Sequence, residues 1–312
     1  MKLCDKENTS EDIPLVSICC VSYNHAAFIR QCLDGFFMQD VSFPVEILIH
    51  DDASTDGIDR IIQEYTSKYP NIIKPLYETE NQYTKPGHLY IDFYNYLRAK
   101  GKYIAYCEGD DYWTDPLKLQ KQVDFMESHP DYSVCFHRCQ LFNENTGRFR
   151  MDGCGKFFRQ GQDGIDITIE MFLKDWMTQP LSMIFRTESF RPEWQKRYKH
   201  YRDQHEIYHL LKMGKGYLFA FVGGVYRMHG GGIASQISQA EYCKVSLPID
   251  REFYHKTHDP QARRIYGETL QCCVDLYAAT NKCKAAGYAL VELIINRQYK
   301  TFGKNIIRLL KG

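Results

Sequence analysis

The sequence has no surplus of either charge. Its 39 Lys and Arg balance 39 Asp and Glu over 312 residues. That argues against a general nucleic-acid binder, which draws most of its affinity from a basic excess. No apolar run approaches the roughly 20 residues that a membrane-spanning helix needs. The N-terminal MKLCDKENTSEDIP is polar, so no signal peptide is expected. There is no internal repeat and no low-complexity segment. Twelve cysteines are many, but none form a CxxC pair, so the usual spacing of a structural zinc site is missing. They are scattered through expected strands and helices (Cys19, Cys20, Cys32, Cys107, Cys272, Cys273) and read as reduced, mostly buried thiols of a cytosolic setting. No GxGxxG follows the first expected strand, which sets aside a dinucleotide-binding dehydrogenase. SYNHAAFI at that point also lacks the Gly-rich, Arg- and Lys-bearing loop of a nucleotidyltransferase.

What is present is a core-forming composition patterned as alternating strands and helices. Hydrophobic residues make up 44% of the chain, which suits one large domain or two small ones. LVSICCV (15–21) is an unbroken apolar run, the mark of a strand buried on both faces. Phe28, Ile29, Cys32, Leu33, Phe36 and Phe37 then recur at helical spacing. VEILIH (45–50) is the next strand and ends in DDASTDG, where Ser54, Thr55 or Asp56 can cap a helix facing inward through Ile58, Ile61, Ile62 and Tyr65. IIKPLYE reads as a third strand, placed near an edge by Pro75. GHLYIDFYNYLRAK reads as a helix and KYIAYC as a fourth strand. TDPLKLQKQVDFMESHP reads as a helix with Thr114 or Asp115 capping and Pro116 in its first turn. This alternation through about residue 130 predicts an α/β fold: an open, mostly parallel sheet with helices on both faces.

Beyond residue 130 the texture changes. YSVCFHRCQLF and RFRM, joined by NENTG, predict a hairpin; DGCGKFFRQGQDG predicts a mobile Gly-rich loop. PLSMIF reads as a strand, DQHEIYHLLKMG as a helix, and GYLFAFV and VYRMH as two further strands before the flexible GGGIAS. From about 236 onward only helices are expected.

Ligands of open α/β sheets bind at the carboxyl ends of the strands, and two acidic clusters fall there. Glu108, Asp110 and Asp111 crowd into CEGDD after the fourth strand. Two carboxylates at a strand exit offer Mg²⁺ or Mn²⁺ the hard oxygen half-shell it takes alongside phosphate, and Gly109 would clear space for that phosphate. An acidic turn with Asp115 as helix cap accounts for the same residues. Asp51 and Asp52, one strand away, can accept hydrogen bonds from a base or ribose; helix capping is the alternative. Tyr23 and Asn24 in SYNH can pack around a base, or simply make a turn. Asp203 at a helix start is either a cap or a general base. Arg227 and His229 share one strand face before three glycines and can meet a diphosphate, although a structural role explains His229 alone.

Taken together, VSICCVSYNHAAFIRQCLDGFFMQ, VEILIHDDASTDG and YIAYCEGDDYWTDPLKLQKQVDFM resemble a family-2 glycosyltransferase of the GT-A fold. The resemblance covers about residues 14–230, and GDDYW followed by a DP.KL..Q helix is similar to bacterial members that build polysaccharides. It implies that Asp51 or Asp52 reads the nucleotide base beside Tyr23 and Asn24. It puts Glu108 and Asp110 at the ends of the family's DxD motif, where Glu108 departs from the usual Asp. Asp203 becomes the catalytic base, with Glu206 behind it, because Arg202 replaces the acidic residue usual at that position. Arg227 and His229 fall near the diphosphate and metal, and Thr178, Gln179 and Trp113 near the acceptor.

The implied activity is inverting transfer from a nucleoside-diphosphate sugar, with Mn²⁺ or Mg²⁺, to a hydroxyl of a glycan or lipid-linked acceptor. A non-catalytic sugar-nucleotide or glycan-binding module is the alternative from another class. The implied layout is a polar tail (1–13), a GT-A domain (14–232; nucleotide-sugar half 14–130, acceptor half 131–232) and a helical extension (233–312). No nucleic-acid partner is expected. Beyond Glu292, Arg297, Lys300, Lys304, Arg308 and Lys311 alternate with Phe302, Ile306, Ile307, Leu309 and Leu310 and include no acid. This reads as a basic amphipathic helix for peripheral membrane contact, or as a terminal helix packed on its own domain.

Overall fold

The computed structural model describes residue 3 and residues 13–85, 91–231, 238–278, 281–296 and 304–305. In chain order its elements are β1 (Val16–Ser22), α1 (Ile29–Phe37), β2 (Val45–Asp51), α2 (Ile58–Lys68), β3 (Ile73–Tyr77), α3 (Phe93–Tyr96), β4 (Tyr103–Glu108), β5 (Tyr112–Trp113), α4 (Lys118–Ser128), β6 (Tyr132–Asn143), β7 (Arg148–Met151), β8 (Gly164–Ile167), α5 (Ile169–Lys174), β9 (Ile184–Arg186), α6 (Glu193–Lys196), α7 (Asp203–Met213), β10 (Lys215–Met228), α8 (Gln239–Thr257), α9 (Pro260–Tyr277) and α10 (Lys282–Asn296). They divide into two compact units. One holds the described residues up to Ile169, Met177–Gln195 and Arg202–His229. The other holds Glu170–Trp176, Lys196–Tyr201 and the described residues from Gly230 onward.

The first unit is built on one sheet, in the order β3-β2-β1-β4-β9-β6-β10-β5, with β7 on β6 and β8 on β10. The four strands from β3 to β4 run parallel. Every residue of β1 and β2 is buried, as largely apolar runs covered on both faces require; the polar pair Ser17 and Glu46 is satisfied across the two strands, Ser17 Oγ donating to Glu46 Oε1 at 2.6 Å. β9 is antiparallel to both β4 and β6, while β6 and β10 are parallel. Ile18, Ile47 and Ala105 of the sheet share one core with Ile29, Leu33 and Phe36 of α1, Ile58 and Ile62 of α2, and Leu119 and Val123 of α4. Each fully buried aliphatic side chain there contributes roughly 1.5–3 kcal/mol. Pro75 lies in β3, the edge strand, where its missing N–H breaks no ladder.

In the second unit Ser238 and Glu241 cap α8 reciprocally, and Asp259 caps α9 with Pro260 in its first turn. Between them Thr269 Oγ1 donates to the buried Asp250 Oδ2 at 2.6 Å.

Several expectations are corrected. The helix expected over 87–100 shrinks among the described residues to the four-residue α3. GYLFAFV and VYRMH form one strand, β10, whose register against β6 shifts between Phe219 and Val222 and again before Gly224. Only Ile184–Arg186 of the PLSMIF stretch and its sequel is strand, preceded by a 3-10 turn at Pro180–Ser182. The Gly-rich segment holds a 3-10 turn at Gly153–Phe157 and the strand β8. Cys243 and Cys272 are disulfide-bonded, against the expectation of reduced thiols throughout; the other described cysteines are free, and all but Cys283 are buried. The polar tail, except residues 3 and 13, lies outside the described residues, as do GGIAS (231–235) beyond Gly231 and most of the basic C-terminal segment.

Candidate active site

Parallel pairing brings three strand exits level. Ser22 pairs with Asp51, and Val21 with Glu108, so the loops carrying SYNH, DDAS and EGDD open on one edge of the sheet. The first two loops are stitched together. Asn24 N–H donates to Ser54 Oγ at 2.8 Å, Thr55 N–H donates to Asn24 Oδ1 at 2.9 Å, and Ala26 N–H donates to Asp56 Oδ2 at 2.7 Å. Asn24 and Ala53 hold left-handed backbone, at φ 55° and 60°, conformations that the cross-links retain at these loops. The buried Asp51 accepts from Ser54 Oγ. Burial pushes its pKa up, opposed by the Ser54 hydrogen bonds. Asp52 accepts from the Gln82 N–H at 2.6 Å and the Tyr83 N–H at 3.1 Å, so it secures the loop after β3. Tyr23 is exposed beside them.

The third exit carries the acidic turn. Asp110 Oδ2 accepts from His229 Nε2 at 2.9 Å, and His25 Nε2 lies 3.6 Å from the same oxygen. Asp110 Oδ1 is buried with no hydrogen-bond partner among the described residues. Burial alone would raise the Asp110 pKa, but the His229 hydrogen bond and the nearby imidazoles outweigh it and hold the carboxyl below its ordinary value. His25 is pushed the other way: burial lowers its pKa despite Asp110, favouring neutral imidazole. Glu108 is held well above the ordinary range by burial and by the charges of Asp110, Asp92 and Asp203. Tyr106 OH bridges Asp92 Oδ1 at 2.8 Å and Glu108 Oε1 at 3.4 Å.

Arg227 braces this turn. Its N–H donates to Asp111 Oδ1 at 2.8 Å and its Nε to the Asp110 carbonyl at 2.7 Å; Nη1 bonds Glu144, and Nη2 donates to Gln31 Oε1 at 2.6 Å. The guanidinium expected at a diphosphate is thus engaged on all its nitrogens within the chain. Asp111 is 2% exposed and well above the ordinary carboxyl range, through burial and then the charges of Asp110 and Glu108.

Asp203 opens α7 as its first residue, with Arg202 as the N-cap. Its Oδ1 accepts from the Gln204 N–H at 2.8 Å. Burial raises its pKa, against that hydrogen bond and the charge of Arg202. Its field reaches Glu108, which places base candidate and acidic turn within electrostatic range. Glu206, one turn on, is 1% exposed; burial and then the charge of Asp92 raise its pKa well above the ordinary range.

Two sequence expectations change. Trp113 is 1% exposed, packs against Phe36 with the rings tilted by 57°, and donates from Nε1 to the Leu181 carbonyl at 2.9 Å. It belongs to the core and presents no face to an acceptor. Gly109 is required by packing: a Cβ there would lie 2.6 Å from Ser22 Oγ and 3.1 Å from Ile29 Cδ1, so the glycine serves the fit between β1 and the acidic turn rather than an open approach for phosphate. Thr178 is buried with an unpartnered hydroxyl. The Gln179 carbonyl accepts from the Ser182 N–H and hydroxyl. The sequence reading passed over His25, although it follows the first strand on the same edge as both acidic clusters.

A divalent cation fits the donors present. Carboxylate and imidazole ligand atoms of His25, Asp110 and His229 lie within 4.8 Å of one another, as do those of Glu108, Asp110 and Asp111. Asp110 Oδ1, buried and without a hydrogen-bond partner among the described residues, is a carboxylate oxygen suited to a cation.

Comparison with known proteins agrees with this architecture. Residues 17–194 match the family described as Glycosyl transferase family 2. An uncharacterised protein of Mycobacterium tuberculosis is 47% identical over 134 residues, which is 43% of this chain and 37% of the relative's length. Residues 1–349 of S. aureus TarS, solved in complex with UDP-GlcNAc, superpose with a TM-score of 0.60 at 15% identity, covering 93% of this chain and 88% of that one. The mannosyltransferase PcManGT from Pyrobaculum calidifontis, in complex with GDP-Man and Mn²⁺, gives 0.52 at 15% identity over 98% and 88%. The GT-A fold expected from the sequence is the one observed.

Proposed function

The chain belongs to glycosyl transferase family 2, and from that premise we propose a metal-dependent inverting transferase. It moves a sugar from a nucleoside-diphosphate sugar to a hydroxyl of a glycan or lipid-linked acceptor, in bacterial surface polysaccharide synthesis at the cytoplasmic face of the membrane. The observation that carries this reading is the Asp110 carboxylate at the strand exits, held by His229 at 2.9 Å, with its second oxygen unpartnered among the described residues.

Asp51, Asp52, Tyr23 and Asn24 line the nucleoside side of that edge. Asp110 and His229 would hold Mn²⁺ or Mg²⁺, which offsets the charge that grows on the departing diphosphate. Arg227 acts through position, fixing the Asp110 backbone rather than touching substrate. Asp203 takes the proton of the acceptor hydroxyl; its raised pKa brings it nearer the working pH, where a general base is most effective. The hydroxyl then attacks the anomeric carbon opposite the leaving group, inverting its configuration. Thr178 and Gln179 flank the acceptor.

Calorimetry with UDP, GDP, ADP and CDP, with and without Mn²⁺, tests the reading. Binding of at least one diphosphate that needs both Mn²⁺ and Asp110 supports it. Metal-independent binding, or none, refutes it. Turnover of the matching sugar nucleotide then separates an enzyme from a binding module. Peripheral membrane contact through the basic C-terminal residues belongs to the same proposal, and liposome flotation with and without residues 296–312 checks it.

A further inference from the structure

The acidic turn offers two overlapping ligand sets that share Asp110, and they differ in chemistry. Glu108, Asp110 and Asp111 would make an all-oxygen shell; His25, Asp110 and His229 would supply two nitrogens and one oxygen. The oxygen set is compromised. Asp111 is 2% exposed; its Oδ1 already accepts from the Arg227 N–H, and only Oδ2 is without a hydrogen-bond partner among the described residues. Glu108 Oε1 has only a 3.4 Å contact with the Tyr106 hydroxyl, whose shorter bond, 2.8 Å, goes to Asp92.

The imidazole set is better prepared. Both Nε2 atoms face Asp110 Oδ2, at 2.9 Å from His229 and 3.6 Å from His25. The second distance is too long for a hydrogen bond, and His25 Nδ1 is buried without one among the described residues. The ring is therefore aimed without being tied. Its position comes from the backbone: the His25 carbonyl accepts the N–H groups of Phe28 and Ile29 at 2.9 Å, starting α1. Phe28 packs against both imidazoles.

We propose that His25 is a third protein ligand of the donor's divalent cation, so that His25, Asp110 and His229 form a two-imidazole, one-carboxylate face. It rests on the reading that Asp110 and His229 hold that cation. Three protein ligands on one side leave the remaining positions to diphosphate oxygens and water. Imidazole suits Fe²⁺, Ni²⁺ or Zn²⁺ best; Mn²⁺, the weakest binder of that transition series, accepts it alongside oxygen, whereas Mg²⁺ keeps to oxygen. The face therefore selects transition ions over Mg²⁺, and His25 sets that preference.

The test is pulsed electron paramagnetic resonance of Mn²⁺ bound to the full chain, alone and with each of UDP, GDP, ADP and CDP, using ¹⁴N- and ¹⁵N-histidine protein. Two coordinated nitrogens are expected in the native chain and one in His25→Gln or His25→Asn, each checked for folding by circular dichroism. Calorimetry should show Mn²⁺ affinity falling about tenfold or more in these variants, with Mg²⁺ changed less. One nitrogen or none in the native chain, or an unchanged Mn²⁺:Mg²⁺ ratio in the variants, overturns the proposal. If Asp110→Asn still abolishes Mn²⁺ binding, that result leaves the wider reading standing. Mn²⁺ binding that is absent, or indifferent to Asp110→Asn, overturns both.

Discussion

Asp110 Oδ2 accepts a 2.9 Å hydrogen bond from His229 Nε2, joining residues 119 positions apart. One partner ends the turn after β4 and the other follows β10, so the contact forms only when both halves of the sheet are in place. Four predictions follow from the groups around it.

Asp203→Asn should lower turnover by roughly 10²–10⁴-fold while leaving nucleotide affinity intact, because a general base acts on the acceptor proton and not on donor binding. In the native enzyme the rate should rise with pH through a value above that of ordinary aspartate, since burial raises the Asp203 pKa. The stability sign is opposite. A raised carboxyl pKa favours the fold below the unfolded value, and that benefit is lost as pH rises through the folded one. The Asn variant should therefore melt higher at neutral pH, with the gap closing in acid. Steady-state kinetics and melting curves from pH 3 to 8 check both.

Lys118→Met should stabilise the protein below neutrality. Lys118 is fully buried with Nζ 3.7 Å from the centre of the Trp113 ring and no hydrogen-bond partner among the described residues. Burial drives its pKa from 10.5 to about 7, against the nearby thiols of Cys107, Cys135 and Cys139. The folded state binds fewer protons than the unfolded between those values, so native stability rises with pH from about 7 to about 10. The depression corresponds to a cost on the order of 5 kcal/mol, present in full below the folded pKa. Urea titrations of both proteins at pH 6 and pH 10 should show the advantage of Met shrinking with pH.

Gly109→Ala should cost roughly 1–3 kcal/mol by overpacking, since its Cβ would lie 2.6 Å from Ser22 Oγ and 3.0 Å from Ser22 Cβ. Adding Ser22→Gly should recover most of that loss. A double-mutant cycle in denaturant reads the coupling directly; simple additivity would contradict it.

Arg227→Lys is not conservative here. A single ammonium cannot reach the Asp110 carbonyl, Glu144 and Gln31 together, as the guanidinium does. Losing one such charged hydrogen bond costs roughly 1.5–3 kcal/mol. Both melting temperature and Mn²⁺-dependent nucleotide affinity should fall, measured by scanning calorimetry and titration.

The parallel half of the fold is legible because its signals are local. Largely apolar runs at β1, β2 and β4, each followed by helical periodicity, leave few other arrangements, and Pro75 marks the edge by the hydrogen bond it cannot make. The rest depends on partners far along the chain. β10 reads as two strands because Gly223 and Gly224 interrupt the pattern; pairing with β6, β8 and β5 carries it through. Trp113 sits beside the acidic turn in sequence, and only the pairing of β5 with β10 turns its indole into the core. Among the site residues, the carboxylates announce themselves by clustering. His25 does not, because a lone histidine in a turn-forming loop gains meaning only when Asp110 and His229 arrive beside it.

The long strand β10 has a geometrical consequence. It separates α7, which begins with Asp203, from His229, so one helix and one strand set the interval between the proposed proton acceptor and the proposed cation ligand. The irregular register near Phe219 to Gly224 makes that interval adjustable by a single inserted or deleted residue. A residue added to or removed from that ribbon would change the distance from Asp203 to His229 while leaving every candidate side chain of the site in the sequence.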